Sequence, residues 1–211
     1  MTRLDVLVDN EHACSLVSQY LPRLLEIVKR PSVLQQLSEP VRLAGGDVSD
    51  VFIDGKHAVA SPEHLSVVGA AMFAAAEDAG VEFDAVGGLV LGAAPFTIAV
   101  AYAAQVNWFF IRKEPKGRGT NLWIEGERIV PGMRVMLVDD VVTTGGSIQT
   151  AYQHVVDEGA VVVFATTLVD RSDVASQFFR ELGIPYTPML TYSDLGIERV
   201  GGDLERAATP G

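Results

Sequence analysis

The chain has 211 residues, of which 48% are hydrophobic, so it is long enough to bury a complete core within one domain. Its formal net charge of −11 argues against a nucleic-acid-binding protein, because affinity for a phosphate backbone comes from many lysine and arginine side chains. No apolar stretch is long enough for a transmembrane helix, and a single cysteine, Cys14, is typical of the reducing cytoplasm. We therefore expect a cytoplasmic protein without a membrane or nucleic-acid partner.

The first part of the chain is predicted to combine helices with a short pair of strands. Apolar residues recur at helical spacing before residue 30, and Pro22 should kink or divide that helix. A serine followed by a proline and a glutamate, at residues 61–63, is a typical helix start. The predicted elements are a helix at 14–29, a short helix at about 32–37, two strands within 41–54 around a Gly-Gly turn, and a helix from 61 to about 79.

The rest of the chain alternates apolar strands with helices. This pattern indicates an α/β protein with a central parallel sheet flanked by helices on both faces. In such sheets ligands bind beyond the carboxyl ends of the strands, near the point where the strand order reverses. The predicted strands are 85–91, 108–111, 135–138, 160–169 and about 187–190, the predicted helices are about 96–104, 147–158 and 174–182, and a hairpin is expected at 122–130 around Gly126.

The junction at residues 134–147, RVMLVDDVVTTGGS, carries the clearest chemical signal. An apolar strand ends in two carboxylates, Asp139 and Asp140, and a loop of small and hydroxylated residues follows. Glycines let backbone N–H groups approach an anion closely, and hydroxyls add donors, so the loop predicts a phosphate cradle. A carboxylate pair beside a phosphate suits a ribose diol and a hydrated metal ion. The residues that follow the acids are Val141, Val142, Thr143, Thr144, Gly145, Gly146 and Ser147.

Positive charge is concentrated in one short segment of this acidic chain. Four of the 16 basic residues fall within seven consecutive positions, namely Arg112, Lys113, Lys116 and Arg118. Such a cluster in a protein of net negative charge favours a small, highly anionic ligand.

The strand, acid pair and Thr/Gly loop resemble the phosphoribosyl pyrophosphate signature of the type I phosphoribosyltransferases. The resemblance implies the fold of that family, a central parallel sheet with a small hood. It also implies that Asp139 and Asp140 hold the ribose hydroxyls, and that the loop from Val141 to Ser147 binds the 5′-phosphate. Mg²⁺ is the implied cofactor, held mainly by substrate and water rather than by a protein metal site.

The basic segment, FIRKEPKGRGTNLWIEG, is similar to the catalytic loop of the orotate phosphoribosyltransferases, with Arg118 where that family has a histidine. The resemblance implies that Lys116 is catalytic, together with Asp139 and Asp140 of the acid pair. It also implies that the pyrophosphate is bound by Arg112, Lys113, Lys116 and Arg118. It also implies a homodimer in which the 112–120 loop is shared across subunits.

Several residues match the part of the orotate family that binds the base. Asp170-Arg171 lies at the end of a strand, where the family's arginine pairs with the carboxylate of the base, and a guanidinium suits that role. By the same resemblance, Thr143 contacts the base and Phe52 belongs to the hood. No lysine or arginine stands immediately before Ser49, where family members often carry one.

Together these observations predict a helical extension at 1–40, a phosphoribosyltransferase domain at 41–200 and a tail at 201–211. The hood would come largely from 41–60 and the C-terminal part. The predicted function is magnesium-dependent phosphoribosyl transfer to orotate, giving orotidine 5′-phosphate and pyrophosphate for pyrimidine synthesis. Two alternatives stay open: a phosphoribosyltransferase for a purine or uracil, and a non-catalytic regulator that senses phosphoribosyl pyrophosphate.

Overall fold

A computed structural model of the chain describes residues 15–42, 48–115 and 123–200. The N-terminal part consists of short elements around a two-stranded antiparallel sheet. We call this sheet, together with the short helix at Gly55–Ala58 that follows it, the hood. Within the described ranges, no helix is both long and apolar enough to cross a membrane. The elements are a 3₁₀ turn at Leu16–Gln19, α1 at Leu21–Val28, the hood strands β1 at Leu34–Arg42 and β2 at Val48–Ile53, and α2 at Gly55–Ala58.

A six-stranded sheet forms the centre of the rest of the chain, with its strands in the order β5-β4-β3-β6-β7-β8. All neighbouring strands are parallel except β4 and β5. The elements are α3 at Pro62–Asp78, β3 at Ala85–Leu89, α4 at Ala94–Ala104, β4 at Asn107–Ile111, β5 at Ile124–Gly126, β6 at Arg134–Val142, α5 at Gly146–Asp157, β7 at Val161–Asp170, α6 at Val174–Glu181, β8 at Tyr186–Thr191 and α7 at Tyr192–Leu195.

Helices cover both faces of this sheet, as the uninterrupted apolar strands predicted. Met136 and Val138 of β6 pack in a core with α1, α3 and α4. Val135 and Leu137, which alternate with them along the strand, pack in a second core with α5 and α6. The strand order reverses between β3 and β6, because the chain passes outward through β4 and β5 before it returns beside β3. Ligand sites in such sheets lie at this reversal.

The N-terminal helices are attached to the domain by a carboxylate on α3. Asp78 accepts hydrogen bonds from the Ser15 hydroxyl and from the backbone N–H groups of Leu16, at 2.8 Å, and Val17, at 3.0 Å. The first turn thereby gains acceptors for N–H groups that have no partner within the helix. As predicted, the helical segment is divided near Pro22, which lies in the first turn of α1.

Two sequence predictions of local structure are wrong. The helix expected at 32–37 is absent, because Leu34, Gln35 and Gln36 instead pair with β2, so that the hood begins before residue 41. The hairpin expected at 122–130 is also absent, since β5 pairs antiparallel with β4 across the basic segment. In both places a distant strand decides the structure, and local sequence contains no signal for it. The Gly-Gly turn and the 201–211 tail lie outside the described residues.

Gly87 on β3 is required by an aromatic ring on the neighbouring strand. A Cβ at this position would lie 2.2 Å from Cε2 of Phe109, which is fully buried and directly paired with Gly87. We expect Gly87→Ala to lower the free energy of unfolding by about 1–3 kcal/mol, measured by urea denaturation, because the ring must shift inside a packed core. In a Phe109→Leu background the same change should cost less, since the clashing ring atoms are gone. An equal loss in both backgrounds would contradict this assignment.

Candidate active site

The acid pair lies within a strand rather than at its end. Strand β6 continues through Asp139 and Asp140 to Val142, four residues beyond the predicted end. Thr167 on β7, fully buried, donates its hydroxyl to the Asp140 carbonyl at 2.9 Å. The strand therefore fixes the backbone of both acids. The Thr166-Thr167 pair in an otherwise apolar strand was the visible signal for this contact, and sequence reasoning missed it.

The two carboxylates have different surroundings. Asp139 is only 4% exposed, whereas Asp140 is half-buried. The Asp139 carboxylate accepts the N–H of Asp140 at 3.0 Å, and the Asp140 carboxylate accepts the N–H of Val141 at 2.8 Å. Burial, and then the neighbouring Asp140 charge, raise the pKa of Asp139 well above its usual range, while the Lys113 ammonium opposes that shift.

Two glycines bring other parts of the chain against Asp140. A Cβ on Gly92, in the loop after β3, would lie 2.8 Å from Asp140 Oδ1. A Cβ on Gly55, the first residue of α2, would lie 2.8 Å from Asp140 Cβ. The hood and the β3–α4 loop therefore meet at this carboxylate, at the reversal in strand order. Nothing in the sequence near Gly55 indicated this contact.

The predicted phosphate cradle leads directly into a helix. Gly145 has a φ of 73°, which favours glycine, and α5 begins at Gly146 without a side-chain cap. The first N–H groups of a helix have no partner within it and lie at the positive end of the helix dipole. Thr143 and Thr144 are half-buried beside this helix start, and Ser147 is exposed on its first turn. The arrangement is suited to a phosphate group.

Arg171, at the end of β7, is a buried cation that forms no ion pair with a carboxylate of the described residues, although the Asp50 charge acts on it from a longer distance. It is 2% exposed, and its Nη1 and Nη2 donate to the Val51 carbonyl and the Ser49 hydroxyl, each at 2.9 Å. Its Nε has no hydrogen-bond partner, and no carboxylate in the described ranges forms an ion pair with it. Burial lowers the pKa of the guanidinium. A buried charge of this kind is costly unless an anion joins it.

The structure brings some of the other predicted residues to the site. Ser49 contacts Arg171, but Phe52 is 41% exposed and alternates with Ser49 and Val51, so it projects from the other face of β2. Arg112 forms an ion pair with Glu125 on β5 at 2.9 Å, so its charge is already balanced by a carboxylate. Lys113 is exposed and Arg112 is half-buried, while Lys116 and Arg118 lie outside the described residues.

The Asp139 carboxylate predicts a pH-dependent stability effect. The pKa of this carboxyl is higher in the folded protein than in the unfolded chain, where it is near 4. The contribution of the protonated carboxyl to folding stability is therefore complete in acid and is lost as the pH rises above that unfolded-state pKa. Without substrates, Asp139→Asn should therefore be more stable than the wild type at neutral pH by on the order of 1–3 kcal/mol, and equal to it near pH 4. Thermal melts across this pH range measure the difference.

Asp84 provides a control of opposite sign. Hydrogen bonds from Arg134 lower the pKa of its carboxyl, so its stabilising contribution is present at neutral pH and is lost in acid. Asp84→Asn should consequently lose stability at neutral pH and match the wild type in acid. A neutral-pH loss of stability in Asp139→Asn as well would contradict the assignment of Asp139 as a destabilising buried acid.

Within the described residues, no three histidine, cysteine, aspartate or glutamate side chains converge closely enough to hold a metal ion. Asp139 and Asp140 are nevertheless adjacent oxygen donors at the cleft, and Asp140 is partly accessible. Oxygen donors suit Mg²⁺, which usually keeps several waters and uses one or two carboxylates together with substrate phosphates. The acid pair therefore fits a magnesium ion that substrate oxygens help to bind.

Comparison with known proteins agrees with this geometry. Residues 58–177 match the family model described as the phosphoribosyl transferase domain. An orotate phosphoribosyltransferase of Bradyrhizobium sp. (strain BTAi1) is 37% identical over 175 residues, which cover 78% of this chain and 90% of the relative.

Solved structures are similar over most of the chain. The orotate phosphoribosyltransferase of Mycobacterium tuberculosis H37Rv, in complex with Fe(III) dicitrate, has a TM-score of 0.71 and 33% identity, covering 84% of this chain and 99% of that one. The same enzyme in complex with 5-phospho-α-D-ribosyl 1-diphosphate has a TM-score of 0.65 and 29% identity, with the same coverage.

Proposed function

This chain belongs to the phosphoribosyltransferase family, and we propose on that premise that it transfers the phosphoribosyl group of phosphoribosyl pyrophosphate to orotate. The products would be orotidine 5′-phosphate, a precursor of the pyrimidine nucleotides, and pyrophosphate. The single observation that carries the choice of acceptor is Arg171. A buried guanidinium that forms no ion pair within the described part of the chain suits the carboxylate of orotate, whereas uracil and the common purine bases have no carboxylate.

Residues around β6 would hold the donor. Asp139 and Asp140 would accept hydrogen bonds from the ribose hydroxyls, and the Val141–Ser147 loop with the start of α5 would bind the 5′-phosphate. A Cβ on Gly92 would lie 2.8 Å from Asp140 Oδ1, so the β3–α4 loop packs closely against the proposed ribose site. We propose that this loop faces the pyrophosphate end of the donor. Thr143 is a proposed contact of the base, whereas Phe52 projects from the face of β2 opposite Ser49 and is not proposed as one.

In the reaction, the bond between the anomeric carbon and the pyrophosphate oxygen breaks. A bond to the ring nitrogen of the base forms, and the proton that this nitrogen loses is taken up by the departing pyrophosphate. The sugar carbon carries positive charge in between, by analogy with glycoside chemistry. The protein must therefore stabilise the negative charge on the departing pyrophosphate and exclude water. Lys116 is the proposed catalytic residue that stabilises this negative charge. Further proposed ligands of the pyrophosphate are Arg112, Lys113 and Arg118.

Magnesium is the proposed cofactor, which the carboxylate pair Asp139 and Asp140 would help to hold through oxygen atoms or water. When bound, it supplies charge neutralisation for the pyrophosphate oxygens. A cytoplasmic location is also proposed, and the single cysteine supports it.

We further propose a homodimer in which the 112–120 loop of one subunit completes the site of the other. Mixing two inactive variants tests this directly. Lys116→Ala and Asp140→Asn, mixed and allowed to exchange subunits, should recover about a quarter of wild-type activity, because half of the dimers then contain one intact site. Each variant incubated alone is the control. No recovery after demonstrated subunit exchange would show that each loop serves its own subunit.

A panel of bases tests the proposed acceptor. We expect pyrophosphate release with orotate, phosphoribosyl pyrophosphate and magnesium, and at least a hundredfold lower kcat/KM with uracil, because uracil leaves the guanidinium unpaired. Faster pyrophosphate release with a purine or with uracil would show that this base, and not orotate, is the acceptor. Binding of phosphoribosyl pyrophosphate without release on any base would favour the sensing regulator.

A further inference from the structure

Asp170, the residue before Arg171, is a buried carboxylate with both oxygens engaged. It is 1% exposed. Its Oδ1 accepts the backbone N–H of Ser172 at 3.0 Å, and its Oδ2 accepts the hydroxyl of Tyr186 on β8 at 3.0 Å. The Tyr186 ring stacks on Phe179 of α6, with ring centroids 5.4 Å apart and planes 20° apart. Neither the fold nor the proposed chemistry so far gives this pair of residues a role.

The protonation states of the pair are consistent with a fixed hydrogen bond. Burial raises the pKa of Asp170, and the hydrogen bonds from Ser172 and Tyr186 act against that rise. Burial and the neighbouring Asp170 charge raise the pKa of Tyr186 well above its usual value. Tyr186 therefore keeps its proton and donates it. Asp170 in turn depends on this donor, because a buried carboxylate needs hydrogen bonds to remain stable.

The hydrogen bonds of Asp170 fix the turn that carries Arg171. Asp170 binds the N–H of Ser172, so the two residues on either side of Arg171 are joined. The backbone of Arg171 is held as well: its N–H donates to the Val142 carbonyl, and its carbonyl accepts the N–H of Val200, both at 2.8 Å. Only the side chain of Arg171 reaches across to the hood. Its direction therefore depends on the geometry of residues 170–172.

We propose that Tyr186 and Asp170 are positioning residues that hold the Arg171 guanidinium where it binds the carboxylate of the acceptor base. This inference rests on the proposed function. A side chain that binds a ligand through planar, paired hydrogen bonds tolerates little displacement. The residues that orient such a side chain are therefore nearly as important for ligand affinity as the side chain itself. Tyr186 itself would contact neither substrate, because its hydroxyl is bound to Asp170.

Tyr186→Phe is the variant that tests the proposal, since it removes one hydroxyl and keeps the ring that stacks on Phe179. We expect KM for orotate to rise about tenfold or more, because changing a residue that orients a ligand-binding group typically lowers affinity or activity by about that factor. The turnover number kcat and KM for phosphoribosyl pyrophosphate should stay within about twofold, because the donor site is formed by other residues. Selectivity for orotate over uracil should fall in proportion.

Tyr152→Phe is the matched control. Tyr152 packs against Phe178 and Phe179 in the same aromatic cluster, but its hydroxyl makes no hydrogen bond within the described part of the chain. It should leave KM for orotate unchanged. Asp170→Asn is the second variant, and it preserves shape while weakening acceptance of the Tyr186 hydroxyl, so it should also raise KM for orotate. An unchanged KM for orotate in folded Tyr186→Phe and Asp170→Asn would overturn the proposal.

A measurement without turnover separates this inference from the proposed function. If the wild type does not convert orotate, the proposed acceptor fails, but the coupling of Tyr186 to Arg171 can still be measured by thermal melting. We expect the shift in Tm of the Tyr186→Phe, Arg171→Ala double variant to be smaller than the sum of the two single shifts. Additive shifts would overturn the positioning role whatever the acceptor is.

Discussion

Replacement of Arg171 by alanine is expected to lower kcat/KM for orotate by roughly 10²- to 10³-fold, because a buried carboxylate that loses its charged partner costs about 2–5 kcal/mol. The present contacts of the guanidinium are a hydroxyl and a carbonyl, neither of which neutralises its charge. Steady-state kinetics with orotate varied at saturating phosphoribosyl pyrophosphate measures the effect. Affinity for phosphoribosyl pyrophosphate should change little.

Two variants make the Arg171 result specific. Arg171→Lys keeps the charge but loses the planar fork, so it should retain only part of the orotate activity. Arg199→Ala removes a neighbouring arginine that pairs with Asp173 at 3.2 Å on the surface, and it should behave as the wild type. Orotate kinetics in Arg171→Ala that match the wild type would show that another residue binds the base.

Replacement of Lys116 by alanine should lower kcat by about 10²- to 10³-fold, the effect of removing a group that stabilises charge in the transition state. Lys116 lies outside the described residues, so its role rests on the resemblance to the orotate family. Because the proposed role is to neutralise pyrophosphate as it departs, the loss should fall on kcat rather than on KM for phosphoribosyl pyrophosphate. Single-turnover kinetics distinguish chemistry from product release.

Lys29→Ala is a suitable control for Lys116→Ala. Lys29 is an exposed lysine at the end of α1, among residues that do not contribute to the site. The change should leave kcat unchanged. Near-normal turnover in Lys116→Ala would remove this lysine from the mechanism, and a large rise in KM alone would make it a binding residue.

The sequence predicted best those features that depend on one continuous segment or that a family resemblance indicates. The acid pair, the glycines and the start of α5 occupy one continuous segment, so composition was sufficient to predict a strand that leads through a small-residue loop into a helix; the phosphate site there stays a prediction. The alternation of apolar strands and helices predicted a parallel sheet covered on both faces, and the structure confirms it except for the antiparallel edge strand β5. Resemblance also directed attention to Arg171, whose burial the sequence could not indicate.

The features that sequence did not predict depend on distant partners. Strand β1 forms because β2 pairs with it, although residues 32–37 alone favoured a helix. Asp139 and Asp140 are adjacent and identical in sequence, yet one is almost fully buried and the other is half-buried, because the surrounding elements enclose them unequally. The contact between Gly55 and Asp140 joins segments far apart in the chain, and neither segment signals it.

The most direct test of the central claim is the product formed from phosphoribosyl pyrophosphate, orotate and magnesium. We predict orotidine 5′-phosphate and pyrophosphate in equal amounts, with formation that depends on all three components and is lost in Asp140→Asn. Binding of phosphoribosyl pyrophosphate without any orotidine 5′-phosphate would contradict orotate as the acceptor of this enzyme.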